Sequence, residues 1–220
     1  MPTAATQNSL VDRINVEFQW HPGFALSQKQ KNIAALHEAA RERRLHPILE
    51  VSTKSPDDLG SQFSAFNLRV DHPDAPSITV EAGFQGSKVF EHGGPFIDLY
   101  SAPGGQAKRD SRLRDSGRLI GFMFAGSSWD LEPPTAFYDW LYLKALSTHK
   151  DAPRLLEYNG FTDIEFNPDR SINCQAKSCA LYVALSRRGL LSDATSNQAA
   201  FVELLTAGEL PPKQSGLLGL

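Results

Sequence analysis

Several things are scarce in this 220-residue chain, and each scarcity excludes a class of protein. There are two cysteines, Cys174 and Cys179. That is too few to staple a secreted fold, so a reducing, cytoplasmic setting is expected. No apolar run approaches the roughly 20 residues a membrane span needs. The richest stretch, residues 119–126, is far shorter, and the polar opening with Asp12 and Arg13 lacks the charged-then-apolar order of a secretion signal. Charge of one sign is also missing: 22 Lys and Arg face 25 Asp and Glu, a net charge of −3. A protein that coats nucleic acid by bulk electrostatics is thereby excluded, and any such contact must come from a local patch. The six histidines are scattered without metal-ligand spacing. There is no Walker loop, no dinucleotide fingerprint and no Gly-x-Ser-x-Gly elbow. Neither a metal nor a cofactor is expected.

What the chain does have is aromatic bulk, 13 Phe and 3 Trp, enough for one sizeable core. Residues 1–15 read as a flexible N-terminal segment, 16–190 as one catalytic domain, and 191–220 as a helical extension and tail. Ser27 is placed to cap a helix over residues 27–44, with Ile33, Ala34, Leu36 and Ala40 as its apolar stripe. Short strands are expected at 48–53 and 63–70, and extended chain at 78–80. Residues 81–91 have helical spacing. Pro133 and Pro134 suit the first turn of a helix reaching His149, and residues 175–188 form an apolar helix closed by Gly189. A last helix is expected near 198–205. The order of elements predicts a helix-rich α+β single domain with a small β component.

The segment Glu81-Ala82-Gly83-Phe84-Gln85-Gly86-Ser87-Lys88 is the most informative. On a continuous helix Glu81, Gln85 and Lys88 stand at i, i+4 and i+7 and share one face. Two glycines in a helix cost about 1 kcal/mol each, so something must approach that backbone closely. A solvated polar face is the plain reading; a carboxylate, amide and ammonium converging on one ligand is the sharp one. Asp163 and Glu165 alternate with apolar residues, as on one side of a strand, or mark an ordinary turn. The cations Lys108, Arg109, Arg112, Arg114 and Arg118 follow Gly104 and Gly105, a pattern that suits phosphate or an exposed loop.

Glu81-x-x-Phe84-Gln85-x-x-Lys88 resembles the helix motif of the NADAR superfamily, whose members act on ADP-ribose-related N-glycosidic substrates. Residues 59–67 are similar to its strand ending in a Phe-Ser-x-Phe motif, here Phe63-Ser64-Ala65-Phe66 followed by Asn67. Trp129 stands where the family has a tryptophan thought to line the base or ribose. Phe166 replaces the Trp of an Asp-x-x-Trp element that begins at Asp163. Asn173 corresponds to the Asn of a Gly-Lys-Asn stretch. More narrowly, the strings at 27–31, 53–56, 90–95 and 161–168 resemble the NADAR branch paired with DarT-type toxins, which ADP-ribosylate guanine in DNA.

The resemblance implies an antitoxin hydrolase that frees guanine bases of DNA from ADP-ribose, with modified DNA as substrate, ADP-ribose as product and the toxin as a further partner. Cleaving the ribose–guanine bond passes through an oxocarbenium-like state, which needs a carboxylate at the anomeric carbon and an acid at the departing nitrogen. Glu81 is the carboxylate. Lys88 either hydrogen-bonds the ribose or attacks the opened sugar as an amine. Asp163, or Glu165, is the second acid or a ribose ligand. Phe66, Asn67, Phe84, Gln85, Arg112, Arg118, Trp129, Glu165, Phe166 and Asn173 complete the expected binding set. The alternatives are an N-glycosidase on phosphorylated pyrimidine intermediates of riboflavin synthesis, and a non-catalytic module that binds ADP-ribose or the toxin.

Overall fold

A computed structural model describes residues 10–207, apart from Asp74, Arg170 and the side chain of Pro76. The expected flexibility of residues 1–9 and the expected tail beyond residue 207 lie outside that range. The fold is a helix-rich α+β domain whose three small sheets frame a central helix.

The central helix is α6 (Ala136–Thr148). Nine of its thirteen residues are buried, Leu141, Tyr142, Leu143, Ala145 and Leu146 among them. A helix apolar all round has to be enclosed on every side. It touches α3 (Val80–Gly86), α7 (Gln175–Arg187), α8 (Leu191–Ser196) and α9 (Gln198–Ala207), as well as β2 (Arg69–His72). Phe201 and Leu204 of α9 sit in the same core as Phe63, Phe137 and Tyr142, so residues 191–207 share the core of the segment before them. The prolines stand ahead of α6 rather than in its first turn; Thr135, at φ +70, turns the chain into it.

β1 (Ile48–Glu50) pairs in parallel with β7 (Gly160–Thr162), setting Glu50 opposite Thr162. β2 and β3 (Ala75–Thr79) form a hairpin, and β4 (Lys88–Phe90), β5 (Leu119–Phe124) and β6 (Ser127–Trp129) an antiparallel sheet. α1 (Leu26–Glu42) starts one residue before Ser27, with Ala25 at its N-cap and no side-chain cap. Within α1, Ala34 is exposed and Asn32 takes a place in the buried face instead, because its side chain exchanges two hydrogen bonds with the His21 backbone, at 2.7 and 2.8 Å. Of the strand expected over 63–70, only Arg69 and Val70 are extended, as the first residues of β2. α2 (Asp58–Gln62), capped by the Asp57 carboxylate, and a tight turn precede β2, and two short helices, α4 (Gly104–Ala107) and α5 (Arg112–Asp115), lie between β4 and β5.

Candidate active site

α3 and the strand that follows it carry the sharpest sequence motif. Thr79 caps α3 by accepting from the Ala82 amide at 3.2 Å. The Glu81 amide donates outward to the Ala65 carbonyl at 2.9 Å, which moors the first turn to the segment carrying Phe66. All seven residues of α3 are buried. Its glycines have a physical reason. A Cβ on Gly86 would lie 2.6 Å from the Tyr100 ring, and one on Gly83 3.2 Å from Ile78. The close approach expected there is made by the protein itself.

The helix ends at Gly86, where Ser87 donates its hydroxyl to the Gly83 carbonyl at 2.6 Å. Lys88 therefore begins β4 and is not on the helix face where the i+7 spacing put it. Its side chain nevertheless turns back, with Nζ 4.8 Å from the centre of the Phe84 ring. Glu81, Phe84, Gln85 and Lys88 all line one open cleft of about 1490 Å³. That exceeds the roughly 300–1,000 Å³ of an ordinary small-molecule pocket.

Glu81 is only 5 % exposed. It accepts from Gln85 Nε2 at 2.9 Å and has Lys108 Nζ at 3.9 Å. Lys108 also lies over the Phe66 ring at 5.7 Å. Burial lowers the Lys88 ammonium to about 8; the Glu81 charge opposes that shift and Lys108 adds to it. The oxygen of Gln85 is buried without a partner, so the amide has capacity left for a hydroxyl or N–H of a ligand.

Asp163 enters from the far side, one residue past the end of β7, so it and Glu165 are not on a strand. Its carboxylate accepts from Gln175 Nε2 at 2.9 Å and from the Glu165 amide at 3.1 Å. Burial nonetheless raises it to about 6, with Glu50 adding to the rise and the Gln175 side-chain bond opposing it. Tyr138 lines the cleft between these groups; burial first, then the charges of Glu81 and Asp163, push its phenol well above its ordinary value. Phe166 and Asn173 line the cleft too, and Glu165, also at its wall, pairs with Lys29 at 2.9 Å.

Four expected ligands lie elsewhere. Trp129 is 3 % exposed, packed against Phe137 and Trp140 inside the core, and offers no open ring face. Asn67 is exposed and closes a local turn by donating to the Ser61 carbonyl at 2.8 Å. Arg112 is held by Asp98 and Asp110 at 2.6 and 2.9 Å over the Phe96 ring, and Arg118 by Glu91 at 3.2 Å. None of the four lines the cleft. The two guanidinium groups are engaged by carboxylates, and the Asn67 amide donates within its own turn.

Other groups were not singled out. Gln175 Oε1 accepts from the Ala65 amide at 2.6 Å and the Ser64 hydroxyl at 3.1 Å while its nitrogen holds Asp163. Because the Ala65 carbonyl holds the Glu81 amide, one side chain ties both acidic walls together. Buried Asp139 binds Lys177 and Thr135, each at 2.7 Å, and fixes the backbone where the cleft meets α6. Phe18, Trp20, Phe24 and Lys29, from the chain before and at the start of α1, close one side. A glutamine opening an apolar helix carries no sequence signal of such a role. Among the described residues, no three His, Cys, Asp or Glu side chains gather as a metal site requires, and no helix is long and apolar enough to cross a membrane.

An α+β domain with a Glu, Gln and Lys cleft formed by one short helix and its following strand has the character of the NADAR superfamily. The family of DarT1-associated NADAR antitoxins matches residues 2–215, and the chain belongs to it. The match reaches beyond residues 16–190 and takes in α8 and α9. No curated protein aligns with the chain.

Proposed function

We propose that this antitoxin is a hydrolase that removes ADP-ribose from guanine bases of DNA. The observation that carries the reading is the convergence of Glu81, Gln85 and Lys88 with Asp163 on one cleft too large for a nucleotide alone. Glu81 sits low in the wall, oriented by Gln85, where a carboxylate can draw the proton from an attacking water and stabilise positive charge on the anomeric carbon. Asp163, raised to about 6, holds its proton to higher pH than an ordinary carboxyl, and its acid form delivers that proton to the departing guanine nitrogen. Water adds its oxygen to the sugar and guanine leaves with its hydrogen restored. Gln85 and Lys88 hold the ribose hydroxyls, and Phe66, Phe84 and Phe166 offer apolar surface to the bases.

The test is single-turnover release of ADP-ribose from modified guanine DNA. Glu81→Gln abolishes release while preserving ADP-ribose binding; full activity in that variant removes Glu81 from the mechanism. Borohydride separates the two roles of Lys88, since only an imine with the opened sugar is trapped as a covalent adduct. Stoichiometric neutralisation of the toxin, unaffected by Glu81→Gln, marks a binding module instead. Activity on free phosphorylated pyrimidines but not on modified DNA marks the riboflavin-type N-glycosidase.

A further inference from the structure

Glu50 does not line the cleft, yet two of the three groups that bind its carboxylate flank Asp163. Its carboxylate is 1 % exposed, at the end of β1 opposite Thr162 of β7. One oxygen accepts from the Thr162 hydroxyl at 2.6 Å. The other accepts from the Ile164 amide at 2.9 Å and the Ser52 hydroxyl at 2.6 Å. The residues before and after Asp163 are thus gripped by one side chain, while Asp163 points the other way into the cleft. Thr162 is braced from α1 by His37, whose Nε2 lies 2.9 Å from its hydroxyl.

We propose that Glu50 is a positioning residue for the reaction, fixing the Thr162–Ile164 turn so that the Asp163 carboxyl is presented to the leaving group. A buried carboxylate is costly unless its oxygens are satisfied; here two hydrogen bonds come from the Thr162–Ile164 turn and a third from Ser52, so the carboxylate ties that turn to the end of β1. The strand pairing already holds Thr162 through the Val51 amide, 2.8 Å from its carbonyl. What Glu50 adds is orientation at residue 163 and, in its ionised form, negative charge that raises Asp163; burial raises the Glu50 carboxyl too, and its bonds from Ser52, Thr162 and Ile164 oppose that rise. The other titratable groups facing this pair are Glu165 on the same loop, His37 through Thr162, and Cys174, Tyr138, Tyr142 and Cys179 around Asp163. Burial lowers His37, so it braces Thr162 as a neutral ring.

The inference rests on the role proposed for Asp163, and its test separates the two. Carboxyl-carbon NMR titration of Asp163 in the full chain is paired with turnover on modified DNA, for wild type, Glu50→Gln and Thr162→Val. The glutamine oxygen still accepts from Ile164 and Ser52 and its nitrogen donates to Thr162, so the charge is lost while three hydrogen bonds are kept, the one with Thr162 reversed. The Asp163 midpoint falls, and the alkaline limb of kcat moves to lower pH with it, with KM changing less than about twofold. Each pH unit of that fall removes the acid form about tenfold on the alkaline side. Thr162→Val loosens one hold without changing charge, so kcat falls while the limb stays in place. An unchanged midpoint and kcat in folded Glu50→Gln overturns the proposal. Should that variant not fold, an unaltered kcat in Thr162→Val overturns it alone. If wild type releases no ADP-ribose, the functional reading fails, and the Asp163 titration still decides whether Glu50 governs its state.

Discussion

Lys88 is held where it is against the preference of its charge, and replacing it with methionine measures by how much. Its ammonium is lowered from 10.5 to about 8, mainly by burial. At about 1.36 kcal/mol per pH unit, the charged form costs the fold about 3 kcal/mol relative to the unfolded chain. The sign follows from linkage. Below about 8 both folded and unfolded chains carry the proton and the cost is complete; between about 8 and 10.5 the folded chain has released it and the cost shrinks; above that range it is gone. Met keeps the length and the contact with Phe84 without the charge. Lys88→Met is therefore more stable than wild type near neutral pH, by an amount approaching about 3 kcal/mol, and this advantage fades as pH rises to about 10.5. Urea unfolding of both proteins at about pH 7 and about pH 10, with equal m-values, reads the difference directly. Release of ADP-ribose is lost in the same variant, as expected where function is bought with stability. A stability difference that stays constant with pH, or a variant less stable near neutrality, refutes the account of Lys88 as a desolvated amine.

Gly104→Ala puts a Cβ 3.1 Å from the Glu81 Cβ and 3.2 Å from the Phe66 ring, so turnover falls by about 10²-fold from a small misplacement, while Gly105→Ala, whose nearest neighbour is an Arg109 nitrogen at 3.8 Å, leaves kcat unchanged. Wild-type release slows as pH rises through about 6, and Asp163→Asn removes that limb from the single-turnover profile. Trp129→Phe takes away a buried N–H that has no partner along with some packing, so thermal unfolding shifts by less than about 1.5 kcal/mol and KM does not move. Arg112→Ala breaks its pairs with Asp98 and Asp110 without touching the cleft, and kcat/KM on modified DNA stays within about twofold.

The long apolar helices were legible because their residues speak for themselves. Residues 136–148 and 175–187 are apolar over three turns, and Gly189, at φ +69, ends the second as expected of a glycine just past a helix. Residues 63–70 read as a strand because Phe63, Ala65, Leu68 and Val70 are all buried, but they pass from a helix C-cap through a turn into the start of β2. An apolar run shows that a segment goes inside and does not show by which backbone path. Ser27 failed as a cap for a related reason: a hydroxyl near a helix start competes with whichever residue the preceding chain turns on, and here that is Ala25.

The site motif was found through a premise that is only half true. Glu81 and Gln85 do share a face one turn apart, joined by their own hydrogen bond. Lys88 meets them because the helix stops at Gly86, not because it continues. On an unbroken α3, residue 88 would lie two turns along and about 10 Å up the axis from Glu81. Ending the helix at Gly86 and running Lys88 extended beside Phe122 folds its stem back over Phe84. The glycine at 86 is what allows this, since any side chain there would strike Tyr100, the residue whose hydroxyl meets Ser87 at the helix end. Gly86→Ala should therefore do more than strain a helix. By pushing Tyr100 from Ser87 it loosens the turn that aims Lys88, and the ammonium moves back toward its ordinary value as water reaches it. Titration of isotopically labelled lysine checks this: a Lys88 midpoint in folded Gly86→Ala equal to that of wild type means that the turn is not what aims the side chain.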